Sequence, residues 1–378
     1  MMRRLVTAGL FLAALLALSA QAGAAKPQPA KVKKTTRPIL TLAMDGSRVA
    51  FMRNDRRVAV WNVVTGKTST IKGTYPSNGK RFGFGTGEVA IAGKRVALIT
   101  RFATGNSQQT QERLYTASLG GLARQIGKVT NHVTDPQCFE CGDPGFSTGD
   151  WTAGVVGSGK VLAVSTWTSS DSVSSDERLS LITPKGLRTI VTGPGAIVAE
   201  SAAGGRIAVL RSTEAWPASG VGPATTAPTV GIYSAAGTLL REIAPSSASE
   251  IALSGKRLVV LTATNTLEVY DWTTGALLRT WPVVTQTPRQ EGGHLAVYGR
   301  LAVYSVDPRY AGPRKLHLLD LTTGKDVVLA TAIGSGYASR DAALGLKGLV
   351  YAVDSPAGRR PHGRLVFVPT SKLTRLTR

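Results

Sequence analysis

The chain has 378 residues, 43% of them hydrophobic, with 45 lysines and arginines against 23 aspartates and glutamates and only two cysteines. This length and apolar content exclude a disordered chain, and the cysteine count excludes a disulfide-built scaffold. The formal charge of +22 favours anionic partners and carries no information about fold.

The chain opens "MMRRLVTAGLFLAALLALSAQAGAA", in which Arg3 and Arg4 precede an apolar run from Leu5 to Leu18 and then small residues at Ala20, Ala22 and Ala24. That order predicts a cleaved secretory signal peptide over 1–24. The apolar run is shorter than the roughly 20 residues that span a bilayer as a helix, and no later segment is long and apolar enough to try. No cysteine stands near the cleavage site to accept a lipid, so the expected product is a secreted protein, extracellular or periplasmic, without a transmembrane segment. Residues 25–37, including "KPQPAKVKKTTR", are basic, contain two prolines and show no apolar period, which predicts a flexible leader.

From residue 38 to 378 one pattern recurs. "LAMDGSRVAFM", "AIAGKRVALI", "VVGSGKVLAV", "ESAAGGRIAVL", "IALSGKRLVVL", "LAVYGRLAVY" and "ALGLKGLVYAV" each place two apolar runs about a polar turn, at intervals of about 50 residues. A second hairpin follows in "VAVWNVVTGKTSTI", "LYTASLGGLARQI", "LSLITPKGLRTIV", "VGIYSAAGTLLREI", "LEVYDWTTGALLRTW" and "LHLLDLTTGKDVVL", while the last unit reads "LVFVPTSKLTRL". Glycine recurs at these turns because tight hairpins use positive φ. The pattern predicts an all-β chain: a single seven-bladed β-propeller of four-stranded antiparallel blades, read as a monomer. Helix is scarcely signalled.

"GKRLVVL" and "VYDWTTGALLR" resemble the blades of secreted bacterial propellers related to the tryptophan-aspartate (WD40-like) repeats and quinoprotein repeats. The tryptophan-aspartate dipeptide is replaced by Trp61-Asn62 and Tyr270-Asp271. The quinoprotein docking tryptophan has its nearest counterpart in Trp281, six residues after Gly275 instead of four. The resemblance therefore implies blades and no cofactor.

Length varies in the connections between second and third strands (101–112, 166–178, 211–229, 305–314, 354–363) and between successive blades (73–87, 130–153, 282–292, 331–341). In a meander these emerge on one side of the disc, so that side is the expected binding face. Its aromatic and cationic residues include Trp167, Trp216, Arg309, Tyr310, Tyr337 and Arg340, a set suited to stacking on sugars and gripping carboxylate or phosphate. On the opposite side, Arg48, Arg95, Lys160, Arg206, Arg257 and Arg300 occupy equivalent turn positions, expected as solvated residues whose stems cover a neighbouring blade.

Candidate chemistry is sparse. Cys138 and Cys141 in "DPQCFECGDPG" are expected to form a disulfide in an exported protein. Haem attachment needs histidine where Gly142 stands, and a zinc site would have to combine the cysteines with His132 and Asp135 or Asp143, so no metal is expected. "GFSTG" around Ser147 has the spacing of a nucleophile elbow but no strand-to-helix context. The expected function is non-catalytic binding of an anionic polysaccharide or envelope protein on the long-loop face. The alternative is an extracellular polysaccharide lyase or hydrolase using His132, His294 or loop carboxylates at the channel mouth. Nucleic acid is not expected, since no recognised module is present.

Overall fold

A computed structural model describes residues 31–73, 87–104, 109–133, 147–170, 173–194, 196–212, 228–283, 294–306, 315–331, 342–354 and 362–378. Strand β1 spans Lys31–Thr35. Blade 1 comprises β2 (Ile39–Asp45), β3 (Arg48–Arg53), β4 (Val58–Asn62) and β5 (Thr68–Thr70). Blade 2 comprises β6 (Gly87–Ala92), β7 (Arg95–Thr104), β8 (Gln109–Ser118) and β9 (Arg124–Val133). Blade 3 comprises β10 (Ser147–Ser158), β11 (Val161–Ser170), β12 (Val173–Thr183) and β13 (Gly186–Pro194). Blade 4 comprises β14 (Ala196–Ala203), β15 (Arg206–Ser212), β16 (Thr229–Ser234) and β17 (Leu239–Ile243). Blade 5 comprises β18 (Glu250–Ser254), β19 (Arg257–Leu261), β20 (Thr266–Asp271) and β21 (Ala276–Pro282). Blade 6 comprises β22 (His294–Tyr298), β23 (Leu301–Val306), β24 (Lys315–Asp320) and β25 (Asp326–Thr331). Blade 7 comprises β26 (Ala342–Gly345), β27 (Gly348–Asp354), β28 (Gly363–Pro369) and, as its outer strand, β1.

The result is an all-β, seven-bladed propeller of four-stranded antiparallel blades. Each innermost strand touches the innermost strand of the next blade, and β26 touches β2, which closes the ring. The cores lie between blades: Val60 and Val58 of blade 1 pack with Val89, Ile91 and Leu98 of blade 2, and Leu258 and Val260 of blade 5 with Leu210 and Ile232 of blade 4. This explains why second strands such as "RLVVL" are nearly all apolar, because both of their faces are covered.

In six of the seven units the first hairpin turns on glycine at the first central position, as at Gly255 with φ +58°, the geometry that follows strand twist, whereas blade 7 has Leu346 there. The second hairpin is shaped by a polar residue ending the third strand. The Asp271 carboxylate accepts the backbone N–H of Thr273 at 2.8 Å and its hydroxyl at 2.6 Å, which holds that carboxyl below its ordinary pKa.

Three expectations change. Residues 31–35, read as part of a flexible leader, pair antiparallel with β28 from Lys31↔Phe367 to Thr35↔Gly363. The last unit lacks a fourth strand of its own: Pro369, which has no N–H to offer a strand partner, leads into helix α1 (Thr370–Leu376), with Leu373 buried against blade 7. Finally, much of 101–112 and 166–178, read as connections, is strand. Blades 2 and 3 are taller than the others and join through β9 and β10 (Val133↔Ser147, His132↔Thr148, Asn131↔Gly149) into one eight-stranded sheet.

Candidate functional site

The antiparallel order puts both short hairpins of blades 1 to 6, and the one hairpin of blade 7 between β26 and β27, at one end of the channel and the variable connections at the other. Of the expected binding residues, Trp167 lies on β11, opposite Trp151 of β10 and Glu177 of β12 in register. Trp216, Arg309, Tyr310, Tyr337, Arg340, Cys138 and Cys141 lie outside the described residues. His132 is on β9 and His294 opens β22, opposite Ser305. Buried His317 shares the Asp326 carboxylate, at 3.2 Å, with the Tyr304 hydroxyl, and its ring stacks on Tyr304 with centroids 4.9 Å apart. That network ties β23, β24 and β25 together and leaves the imidazole enclosed.

Sequence reading missed a group of carboxylates inside the ring. Glu88 on β6 and Glu200 on β14 approach from both sides of Gly154 on β10, all in the long-loop half of the inner strands. Glu88 Oε2 accepts the Val155 N–H at 3.2 Å, and Glu200 Oε2 accepts the Ser165 hydroxyl at 2.8 Å. Both carboxylates thus reach blade 3 from its two neighbours. A Cβ on Gly154 would land on Glu200 Oε1 and 2.9 Å from Glu88 Oε2. Gly154→Ala is expected to cost roughly 2–3 kcal/mol by overpacking and by dislodging two buried charges. Chemical denaturation would measure it; an unchanged midpoint would show that the carboxylates move aside freely.

Glu200 and Glu250 are among the residues lining a cavity of about 140 Å³ on the axis, walled mainly by Ala43, Ala252, Ala296 and Ala343. These alanines hold one register position. It is filled in the seven blades by Ala43, Ala90, Val156, Ser201, Ala252, Ala296 and Ala343, small side chains that let seven strands converge. The cavity is well below the roughly 300–1,000 Å³ of small-molecule sites.

Glu177, fully buried on β12, is paired with Arg211 of β15 across the interface between blades 3 and 4. Burial pushes its carboxyl up, and the guanidinium pulls it partly back. Burial also pushes the Tyr270 phenol up, reinforced by the hydroxyl's bond to Glu268 at 2.7 Å. Glu88, Glu112, Glu177, Glu200, Glu268 and Asp320 are all buried, whereas no lysine or arginine is buried among the described residues. Among the same residues, no group of three or more histidines, cysteines or carboxylates is placed to hold a metal ion.

The cations instead lie on the outside, and many arginines are spent on backbone carbonyls of the next blade. On the outer rim Lys31 donates to Val63 O at 2.6 Å, Arg124 to Pro184 O at 2.7 Å, Arg188 to Ala235 O at 3.1 Å and Arg241 to Thr273 O at 2.6 Å. Trp281 completes the same step from blade 5 to blade 6, donating to Leu321 O at 3.2 Å, with its ring lying over Gly324. Lys72 bonds to Gly121 O through its backbone, and Lys325 to Arg378 O, so every blade-to-blade step has an outer tie. At the short-turn end, Arg95 reaches Ile182 O and Lys160 O, Arg257 reaches Gly299 O, Arg206 lies 4.8 Å over the Trp272 ring and Arg300 pairs with Asp320 at 3.3 Å. The arginines expected as solvated turn residues are in these four cases bound in place.

Among the described residues no helix is long and apolar enough to cross a membrane. No protein-family model matches the chain, and no curated protein matches it. Among solved structures, the chain is similar to the WD40 β-propeller domain of Doa1, at 9% identity and TM-score 0.49, covering 91% of this chain and 98% of that one. It is also similar to the computationally designed Ika8 protein, at 12% identity and TM-score 0.41, covering 91% and 99% respectively.

Proposed function

We propose that this chain is an exported, non-catalytic binding module whose partner is an anionic envelope polymer or protein. The observation that carries the reading is the sorting of charge among the described residues: six carboxylates are buried there and no lysine or arginine is. A chain already rich in cations thereby presents to solvent an exterior more positive than its composition alone implies. Export rests on the leader sequence, and the tall blades 2 and 3 extend the long-loop side of the disc, the side on which inserted loops commonly supply binding. Trp216, Arg309, Tyr310, Tyr337 and Arg340 belong to this proposal, as does the disulfide between Cys138 and Cys141.

A second reading, an extracellular polysaccharide lyase or hydrolase, is favoured by the two carboxylates beside Gly154. Against it stands their burial, together with an axial cavity too small for a sugar polymer among the described residues. One experiment separates the two. Purified protein is incubated with insoluble anionic envelope polysaccharide and with a neutral glucan, and the supernatant is assayed for protein and released sugar. The binding reading expects depletion by the anionic material only, reversed by salt, with no sugar released. Sugar release abolished by Glu200→Gln would replace it with the enzyme reading.

A further inference from the structure

The short-turn end of the channel carries a charge pattern that the carbonyl-bound arginines conceal in sequence. At the tips of four of its seven inner hairpins stand Lys94, Lys160, Lys256 and Lys347, all exposed. Their backbones are fixed: Lys94 O accepts the Leu119 N–H at 3.0 Å, Lys256 O the Trp272 N–H at 3.0 Å, Lys347 O the Thr370 N–H at 3.2 Å and Lys160 O the Arg95 guanidinium at 2.8 Å. Among the described residues no side-chain hydrogen bond or close ion pair holds any of the four ammonium groups, and the one charge interaction is a weak pull of Lys256 on Asp271. The nearby carboxylates are occupied. Asp45 accepts the N–H groups of Gly93 and Gly159, at 2.6 and 3.2 Å, Asp271 holds its own turn, and Asp320 is paired with Arg300.

We propose that these four lysines form a crown around the channel mouth that docks a flexible phosphate-bearing polymer. The proposal rests on the anionic-partner reading above and moves the contact to the face opposite the long loops. Three features select the occupant. The cations without a close partner at the turn tips are lysines, compact point charges suited to tetrahedral phosphate, whereas carboxylate is gripped best by the bidentate forks of arginines, of which Arg95 and Arg257 are here turned to carbonyls, Arg206 to the Trp272 ring and Arg300 to Asp320. The crown is annular and rigid, so one chain of regularly spaced charges can meet several ammonium groups without ordering the protein further. A membrane would ask for apolar tips around the mouth, and among the described residues Leu346 is the one large apolar side chain exposed at the inner turns, Val64 and Leu122 being exposed on the second turns of blades 1 and 2.

The test compares the unaltered protein with the fourfold variant Lys94→Gln, Lys160→Gln, Lys256→Gln, Lys347→Gln, using inorganic polyphosphate, polygalacturonate and vesicles of anionic lipid as probes. Exposed turn lysines touch no core, so the variant is expected to keep its unfolding midpoint, and each single variant is carried as a check. Polyphosphate binding at low salt is expected to fall by roughly 10³-fold in the fourfold variant, and about fivefold in each single variant, as charges near an anionic surface are removed. Unchanged polyphosphate affinity in the fourfold variant, with loss in an Arg309→Ala, Arg340→Ala variant, would overturn the crown and keep the anionic-partner reading on the loop face. A fall seen only for polygalacturonate or only for vesicles would overturn the choice of polymer. Failure of the unaltered protein to bind any of the three would overturn both the crown and the reading beneath it.

Discussion

A chain that starts at Pro38 is expected to unfold at a midpoint roughly 5–10 °C below one that starts at Ala25, and to associate in solution. The five residue pairs between β1 and β28 are the only strand pairing that joins the beginning of the described chain to its end. Without them, blade 7 is left with three strands, and β28 becomes an open edge. The two bonds from Lys31 to Val63 O and Val64 O, which lock blade 7 onto blade 1, are lost at the same time. Because the ends of a propeller meet at this seam, the loss acts on ring closure and not on one hairpin alone. Thermal unfolding with light scattering checks it. Equal midpoints and a monodisperse truncated chain would show that the ring closes through the inner strands without β1.

Arg211→Ala is expected to be nearly as severe, costing roughly 3–5 kcal/mol, because it strands the Glu177 carboxylate in a fully buried position. The pH dependence identifies the cause. Burial raises the Glu177 carboxyl even beside Arg211, so the folded chain binds this proton more tightly than the unfolded one. Stability from this group is therefore present at acid pH and is lost as pH rises from the ordinary carboxylate range through the folded-state value. Removing Arg211 raises the folded value further. The deficit of the variant should be greatest near neutrality and shrink towards pH 4, and Glu177→Gln added to Arg211→Ala should recover most of it. Stability curves of variant and parent that run parallel across this range would contradict the account.

What the sequence made legible and what it hid follow the range of the interactions. The hairpin signals "DGSR", "GKR" and "DWTTG" are local, set by glycine φ and by polar side chains that bond their own turns, and they fixed seven units and their blade type. The partner of β1 lies more than 300 residues away, and "KVKKT" is too polar to announce a strand. Segments such as "STWTSS" and "VSSDERL" read as connections because serine and threonine dominate them; as members of a tall antiparallel sheet they pair regularly. The buried carboxylates did leave a signal: a lone glutamate in "GEVAIA" or "VAESAA" is a charge in an otherwise apolar inner strand, which demands a partner. The rim ties of blades 2, 3 and 4 also left one, in the arginine that follows the second turn in "GLARQI", "GLRTI" and "TLLREI". Reading it as a contact required knowing that the next blade offers a carbonyl there.

The central claim is that burying carboxylates and exposing cations makes this propeller a receptor for anionic polymers. The most direct measurement is titration calorimetry of the chain from Ala25 with a defined linear polyanion, repeated from about 0.02 to 0.5 M salt. The account predicts binding that weakens linearly in log–log form with salt, with no binding of a neutral glucan of similar length. Salt-insensitive binding, or equal affinity for the neutral polymer, would contradict it.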